Sequence, residues 1–211
     1  MLFFVKYEIN YKEQELVRLG EVCEIKSGLI LARKESKNRT PHKYNIFTLK
    51  SFLQDGFIDK KMLDSMFTEK PLDSTYLTQK GDIIIRLSKP YTATLINKAT
   101  ENLVFTSNFI CVQSSEVIYP EYLLWVLNST FIQEELRKSS FGSNYEMVKA
   151  STYANLEIEL PSLDHQYKMG ELYKLSLQEI QLLELLAKQK RTYTNSLLDL
   201  HINNKNMGVK K

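Results

Sequence analysis

Arg33, Lys34, Lys37, Arg39 and Lys43 cluster in one short run, with His42 beside them and Glu35 as the opposing acid. Ser36, Asn38, Thr40 and Pro41 fall between these cations, so the run reads as a polar loop. A basic loop of this kind is either a solvated surface or a grip on phosphate oxygens, where ammonium and guanidinium groups displace condensed counterions. The surrounding charge sharpens the point. Up to Leu160 the chain carries 20 basic and 20 acidic residues, and the net charge of +3 arises from the 8 basic and 5 acidic residues after it. A basic site in so neutral a body has to be a local patch.

Other chemistries find little support in the residue pattern. The seven glycines are all isolated, which excludes a glycine-rich phosphate loop and a dinucleotide fingerprint. Cys23 and Cys111 each sit in a strand-like run with no second Cys or His at ligand spacing, so they read as buried thiols and no metal site is expected. His42, His165 and His201 are far apart with no nucleophile beside them. Glu24-Ile25-Lys26 would suit the second half of a nuclease motif, but the first Asp of the chain is Asp55. Ser88-Lys89-Pro90-Tyr91 has only a superficial likeness to an amino-methyltransferase loop. No catalytic residue and no cofactor is expected, and a site assembled from distant residues is the alternative left open. Met1–Val5 is too short for a signal-peptide core and is followed by Lys6 and Glu8, so the expectation is a cytoplasmic protein without a membrane span.

The elements that must position these groups are mixed. With 43% hydrophobic and 25% charged residues, the 211-residue chain can bury one domain and still carry an extension. A short helix or turn near Glu13 leads into a strand through Ile25 to Leu31, with Gly28 as a bend. Tyr44–Leu49 alternates like a strand, Phe57–Phe67 has spacing that also suits a helix, and Leu77–Asp82 is a turn. Ile83-Ile84-Ile85 has the fully apolar character of a buried strand, and Thr92–Asn97 and Leu103–Val112 are further strands. Pro120 suits the first turn of a helix running through Leu136 to a polar loop near Ser139–Gly142. Asn155–Leu160 is a short strand stopped by Pro161, after which about 40 residues read as one leucine-rich helix.

That helix carries its own message. At 100° per residue Leu172, Leu175, Ile180, Leu182, Leu183, Leu186, Tyr193 and Leu197 fall in an arc of roughly 160°, wider than a two-stranded coiled-coil seam. Leu185 and Lys190 break a continuous heptad. A rod of about 55 Å exceeds the width of a domain this size, so the arc is expected to meet a partner, folding back on its own domain being the bland alternative. The fold class is α+β: a mixed globular domain of short strands and helices followed by a long C-terminal amphipathic helix.

Five pieces in order carry a family resemblance: Leu19–Gly28, Gly81–Ser88, Ser107–Ile110, Pro120–Leu123, and Leu156–Pro161 with Gln166. Together they resemble half of a specificity (S) subunit of a type I restriction-modification system, one target recognition domain plus one helical spacer. The resemblance implies residues 1–160 as recognition domain, 161–203 as spacer and 204–211 as a flexible basic tail. It departs from whole S subunits, which carry two of each unit, and its junction Pro161-Ser162-Leu163-Asp164-His165-Gln166 lacks the family's usual second proline. A half-sized member is expected to homodimerise and to serve methyltransferase (M) and restriction (R) subunits.

By the same resemblance the chain reads double-stranded DNA without catalysis. Arg86, Ser88, Lys89, Tyr91 and Thr92 follow the apolar Ile83–Ile85 run, and Ser139, Ser140, Ser143, Asn144 and Tyr145 form a second loop. Arg86 would meet two guanine acceptors, Asn144 would suit adenine and Lys89 a phosphate. A structural adaptor that recruits a partner through its long helix, without binding DNA, is the alternative function.

Overall fold

A computed structural model describes residues 15–37, 40–53, 56–140 and 147–208, with side chains described to 202. In chain order the elements are β1 (Glu15–Arg18), α1 (Leu19–Val22), β2 (Cys23–Ser27), β3 (His42–Phe47), β4 (Asp64–Thr68), β5 (Ile83–Arg86), β6 (Ala93–Leu95), β7 (Val104–Phe105) and β8 (Phe109–Ser114). There follow α2 (Pro120–Asn128), α3 (Thr130–Ser139), α4 (Ala150–Ala154), β9 (Glu157–Leu160) and α5 (Leu163–Gly208). The chain divides into two compact units, Met1–Gly170 and Glu171–Lys211. This is the α+β class expected from the sequence.

Among the described residues, three sheets build the first unit. An antiparallel sheet has the order β2-β8-β5-β6, a second has the order β4-β3-β7 with β3 and β7 parallel, and β1 pairs antiparallel with β9. Successive side chains in a strand face opposite ways, so neighbours on one strand supply two cores. Phe47 and Phe105 enter a cluster with Phe52, Ile84, Ile96, Phe109 and Cys111, whereas Ile46 and Val104 enter another with Leu29 and Met66. The rings of Phe47 and Phe109 meet edge-to-face at 5.2 Å, the geometry that their quadrupoles favour.

Several segments differ from the sequence reading: the helix or turn expected near Glu13 is, from Glu15, strand β1, and the strand expected to reach Leu31 ends at Ser27, with a 3-10 turn over Leu31–Arg33. Within Phe57–Phe67 the residues from Asp64 form a strand, pairing with β3 from Ile46↔Asp64 to His42↔Thr68. Met66 and Thr68 are buried and Ser65 is exposed, a period of two that outweighs the helical spacing of the apolar residues. The helix opened by Pro120 stops at Asn128, and Ser129 in extended backbone caps a new helix by accepting from Ile132 N at 3.4 Å.

The body closes on the root of α5. Gln166 is 1% exposed: its Oε1 accepts from Tyr119 N at 2.8 Å, and its Nε2 donates to Pro161 O at 2.8 Å and Val117 O at 3.1 Å. Gly170 lies so near α2 that a Cβ there would stand 2.7 Å from Tyr122 N. Tyr122 Oη in turn donates to Glu159 O at 2.8 Å. The helix continues to Gly208, beyond the boundary at 203 read from the sequence, since no proline interrupts it and its residues are mostly good helix formers. The basic tail from 204 is therefore helical backbone over most of its length, and 209–211 lie outside the described residues. Among the described residues no helix is long and apolar enough to cross a membrane.

Candidate nucleic-acid interface

The turn before β5 is built first. Gly81 takes φ +94°, a left-handed conformation that glycine adopts without steric cost. Asp82 is buried, with Oδ2 accepting from Gln79 N at 2.8 Å and Oδ1 accepting from Gln113 Nε2 at 2.7 Å. Gln113 Oε1 accepts from Lys26 Nζ at 2.5 Å, and Lys26 also pairs with Glu24 at 3.2 Å. This polar chain ties β2, β8 and the turn together, so Ile83, Ile84 and Ile85 enter the core wholly buried. The next residues therefore emerge from a fixed strand end.

Those residues divide into a presented tip and a buried base. Arg86 and Ser88 are half-buried, and Lys89 and Pro90, joined by a cis peptide bond, are exposed. Arg86 Nε donates to Ser88 Oγ at 3.0 Å, which orients the guanidinium along the loop. Burial pulls the Arg86 guanidinium below its ordinary value, though an arginine keeps its charge near neutrality. Tyr91 and Thr92 are buried at 2% and 9% exposure, so they are not presented residues as the sequence suggested. Tyr91 instead donates through its hydroxyl to Ser140 Oγ at 2.7 Å. Its ring was read as presented because it follows the apolar Ile83–Ile85 run, whereas Ser140 and Gln133 tie its hydroxyl and its carbonyl into the body.

The second loop meets the first at its two ends. Ser140 is buried against Tyr91, and Ser88 forms a bridge with Met147, while Val148 N donates to Leu87 O at 2.8 Å. Ser143, Asn144 and Tyr145 lie outside the described residues. Sequence reasoning missed three groups that hold the hairpin: Asn128, Gln133 and Tyr153. The available signal was a lone amide closing the apolar run Leu123–Leu127, a place where a polar group needs a partner.

The basic segment occupies another place and is not one loop as the sequence suggested: Arg33 to Lys37 lie before β3, with Ser36 N donating to Phe67 O of β4, whereas His42 and Lys43 belong to β3 itself. Arg33 ends a short 3-10 turn, and Arg33, Lys34, Lys37 and Lys43 are exposed, while Arg39 lies outside the described residues. Arg33 and Lys34 line a groove of about 310 Å³ that also receives Lys70, Glu35, Glu69 and Asp73. Ser36 Oγ donates to Glu69. The fold thus brings further acids beside a run whose sequence showed Glu35 alone, and it adds the cation of Lys70. A backbone bond from Thr75 holds the exposed Asp73 carboxyl below its usual value.

On the second unit the apolar arc is exposed in the single chain. Leu172, Leu175, Ile180, Leu182, Leu183, Leu186, Tyr193 and Leu197 are all exposed, from 45% at Ile180 to 70% at Leu172. Leu185, outside the arc, is exposed as well. Among the described residues no group of three or more His, Cys, Asp and Glu side chains could hold a metal ion. Burial pushes the Cys23 thiol up to about 12, with a Ser115 backbone bond acting the other way, and pushes Cys111 up too. Neither has thiolate character near neutrality.

A mixed domain that offers a clamped cationic hairpin, followed by a long helix, has clear relatives. The type I restriction modification DNA specificity domain matches residues 11–194, and the chain belongs to that family. It is 27% identical over 231 residues to the type I restriction enzyme MjaVIII specificity subunit of Methanocaldococcus jannaschii, covering 97% of this chain and 50% of that protein. Its fold is similar to the HsdS subunit from Thermoanaerobacter tengcongensis, with TM-score 0.56 and 18% identity over 80% of this chain and 38% of that one. A chain from a structure on complex assembly and conformational transition of the type I R-M system has TM-score 0.58 and 18% identity, over 94% of this chain and 50% of its own. The chain spans about half the length of the curated relative it matches.

Proposed function

We propose that this chain recognises a double-stranded DNA sequence as the specificity component of a type I restriction-modification complex, without carrying catalysis itself. The observation that carries this reading is the hairpin after β5, where Arg86 is oriented by Ser88 at the end of a wholly buried strand in a member of the specificity-domain family. A guanidinium presented from a rigid element suits the paired acceptors of guanine in the major groove. Lys89 serves a phosphate, and Arg33, Lys34, Lys37, Arg39 and Lys43 contribute sequence-independent contacts. Ser143, Asn144 and Tyr145 belong to the reading surface on sequence grounds alone. We read 1–160 as the recognition domain and 161–203 as the spacer.

The exposed apolar arc of α5 supports a second copy as partner, since a contiguous apolar face normally marks an interface. Two copies related by a two-fold axis would read a palindrome with a fixed gap, and the complex would direct methyltransferase and restriction subunits to it in the cytoplasm. Binding of the full chain to random duplex at about 50 and 200 mM salt tests the DNA reading. A steep fall in affinity is expected from released counterions. Absence of duplex binding at both concentrations overturns the reading and favours an adaptor.

A further inference from the structure

We infer that Asn128, Gln133 and Ser140 are positioning residues that set the base preference of the Arg86–Lys89 tip without touching DNA. The inference rests on the DNA-recognition reading above and goes beyond it by placing the control of specificity on the helices behind the hairpin.

The front half of the hairpin is held by its neighbours in the body. Arg86 N donates to Thr92 O at 3.1 Å, Leu87 N to Asn108 O at 3.0 Å and Tyr91 N to Ser88 O at 2.9 Å. Arg86 O accepts from Tyr153 Oη at 3.4 Å, and Leu87 O from Val148 N at 2.8 Å. The return half depends on side chains of α2, of α3 and of Ser140, the residue that caps α3. Asn128 Oδ1 accepts from Ala93 N at 2.9 Å while its Nδ2 donates to Ala93 O at 3.0 Å. Since β6 is an edge strand, this one amide stands where a further strand would pair. Gln133 Nε2 donates to Tyr91 O at 3.3 Å and to Leu127 O at 2.9 Å, and Ser140 Oγ accepts from the Tyr91 hydroxyl.

Tyr91 explains why so many bonds converge. Its φ of 57° is a left-handed conformation that a bulky residue adopts only when its surroundings over-determine it. If the helix side chains let go, Tyr91 relaxes towards negative φ and the chain between it and Arg86 changes course. That chain includes Ser88, whose hydroxyl orients the guanidinium. Two-point recognition of a base tolerates little displacement, so a change at Asn128 or Gln133 reaches the base through Tyr91 and Ser88.

The experiment selects duplexes from a randomised library with the full chain and its Arg86→Ala, Asn128→Leu, Gln133→Met and Tyr91→Phe variants, below their melting temperatures. Asn128→Leu, Gln133→Met and Tyr91→Phe should lose about tenfold of the preference at the base position that Arg86→Ala abolishes, and should keep their affinity for unselected duplex. Hydrogen exchange over 86–93 should speed up in the same variants. If Asn128→Leu does not fold, the near-isosteric Gln133→Met and Tyr91→Phe carry the test. An altered profile for Arg86→Ala with unchanged profiles for the other variants overturns the positioning role and leaves the reading of the tip intact. An unchanged profile for Arg86→Ala overturns both.

Discussion

Gly28 shows what a single residue decides in this fold. A Cβ at that position would stand 2.0 Å from Thr106 O and 2.4 Å from Thr106 C, both backbone atoms. Gly28→Ala should destabilise the body by about 1–3 kcal/mol or more, read as a lowered denaturant midpoint. The thiols give a pH effect of defined sign. Cys23 rises from 9.0 to about 12 on folding, so the folded state holds its proton more tightly than the unfolded one. The stability this proton supplies is complete below pH 9 and is lost as pH climbs towards 12. Cys23→Ala should make that alkaline decline shallower in a pH series of denaturation curves. At the tip, Arg86→Ala should cost about 1–3 kcal/mol of discrimination at one base position while sparing non-specific binding. Ile83–Ile85 and the Gly81-Asp82 turn were legible because composition alone marks them. Tyr91 was not, since the partner of its hydroxyl, Ser140, lies 49 positions away.

At the scale of elements, legibility follows how local the cause is. Pro120 announced α2, yet the break at Ser129 depends on a cap hidden inside an apolar pattern. β4 was ambiguous because its pairing with β3 joins distant segments. The root of α5 is clasped by Gln166, whose three bonds were visible in sequence only as a matching letter of a family junction. Gln166→Leu would leave Tyr119 N, Val117 O and Pro161 O to find new partners in a half-buried setting. We expect it to lower stability by about 1–3 kcal/mol in thermal or denaturant unfolding. A loss within a few tenths of a kcal/mol would show the clasp to be incidental.

The chain joins a neutral body to an amphipathic helix with an exposed apolar arc, and both features make predictions. Replacing Arg33, Lys34, Lys37 and Arg39 by Ala should weaken binding to all duplexes alike and flatten the dependence of affinity on salt. An unchanged slope would move the phosphate contacts to other cations. Leu183→Glu or Leu186→Glu places a charge among exposed apolar residues and, if the proposed homodimer forms, should yield monomers or aggregates while circular dichroism reports a folded body. Light scattering that gives a clean monomer for the unmutated chain would remove the second copy as the partner of this face. The amphipathic arc was readable from spacing, whereas its occupant is not written in that spacing.

Under the proposed function this chain would choose the DNA sequence on which a methyltransferase acts. Mapping methylated bases across the genome in cells with and without the chain tests it most directly. The expected result is a two-part motif with a fixed gap that is methylated only when the chain is present, and whose preference shifts at one position in cells carrying Arg86→Ala. Identical methylation patterns with and without the chain would contradict it.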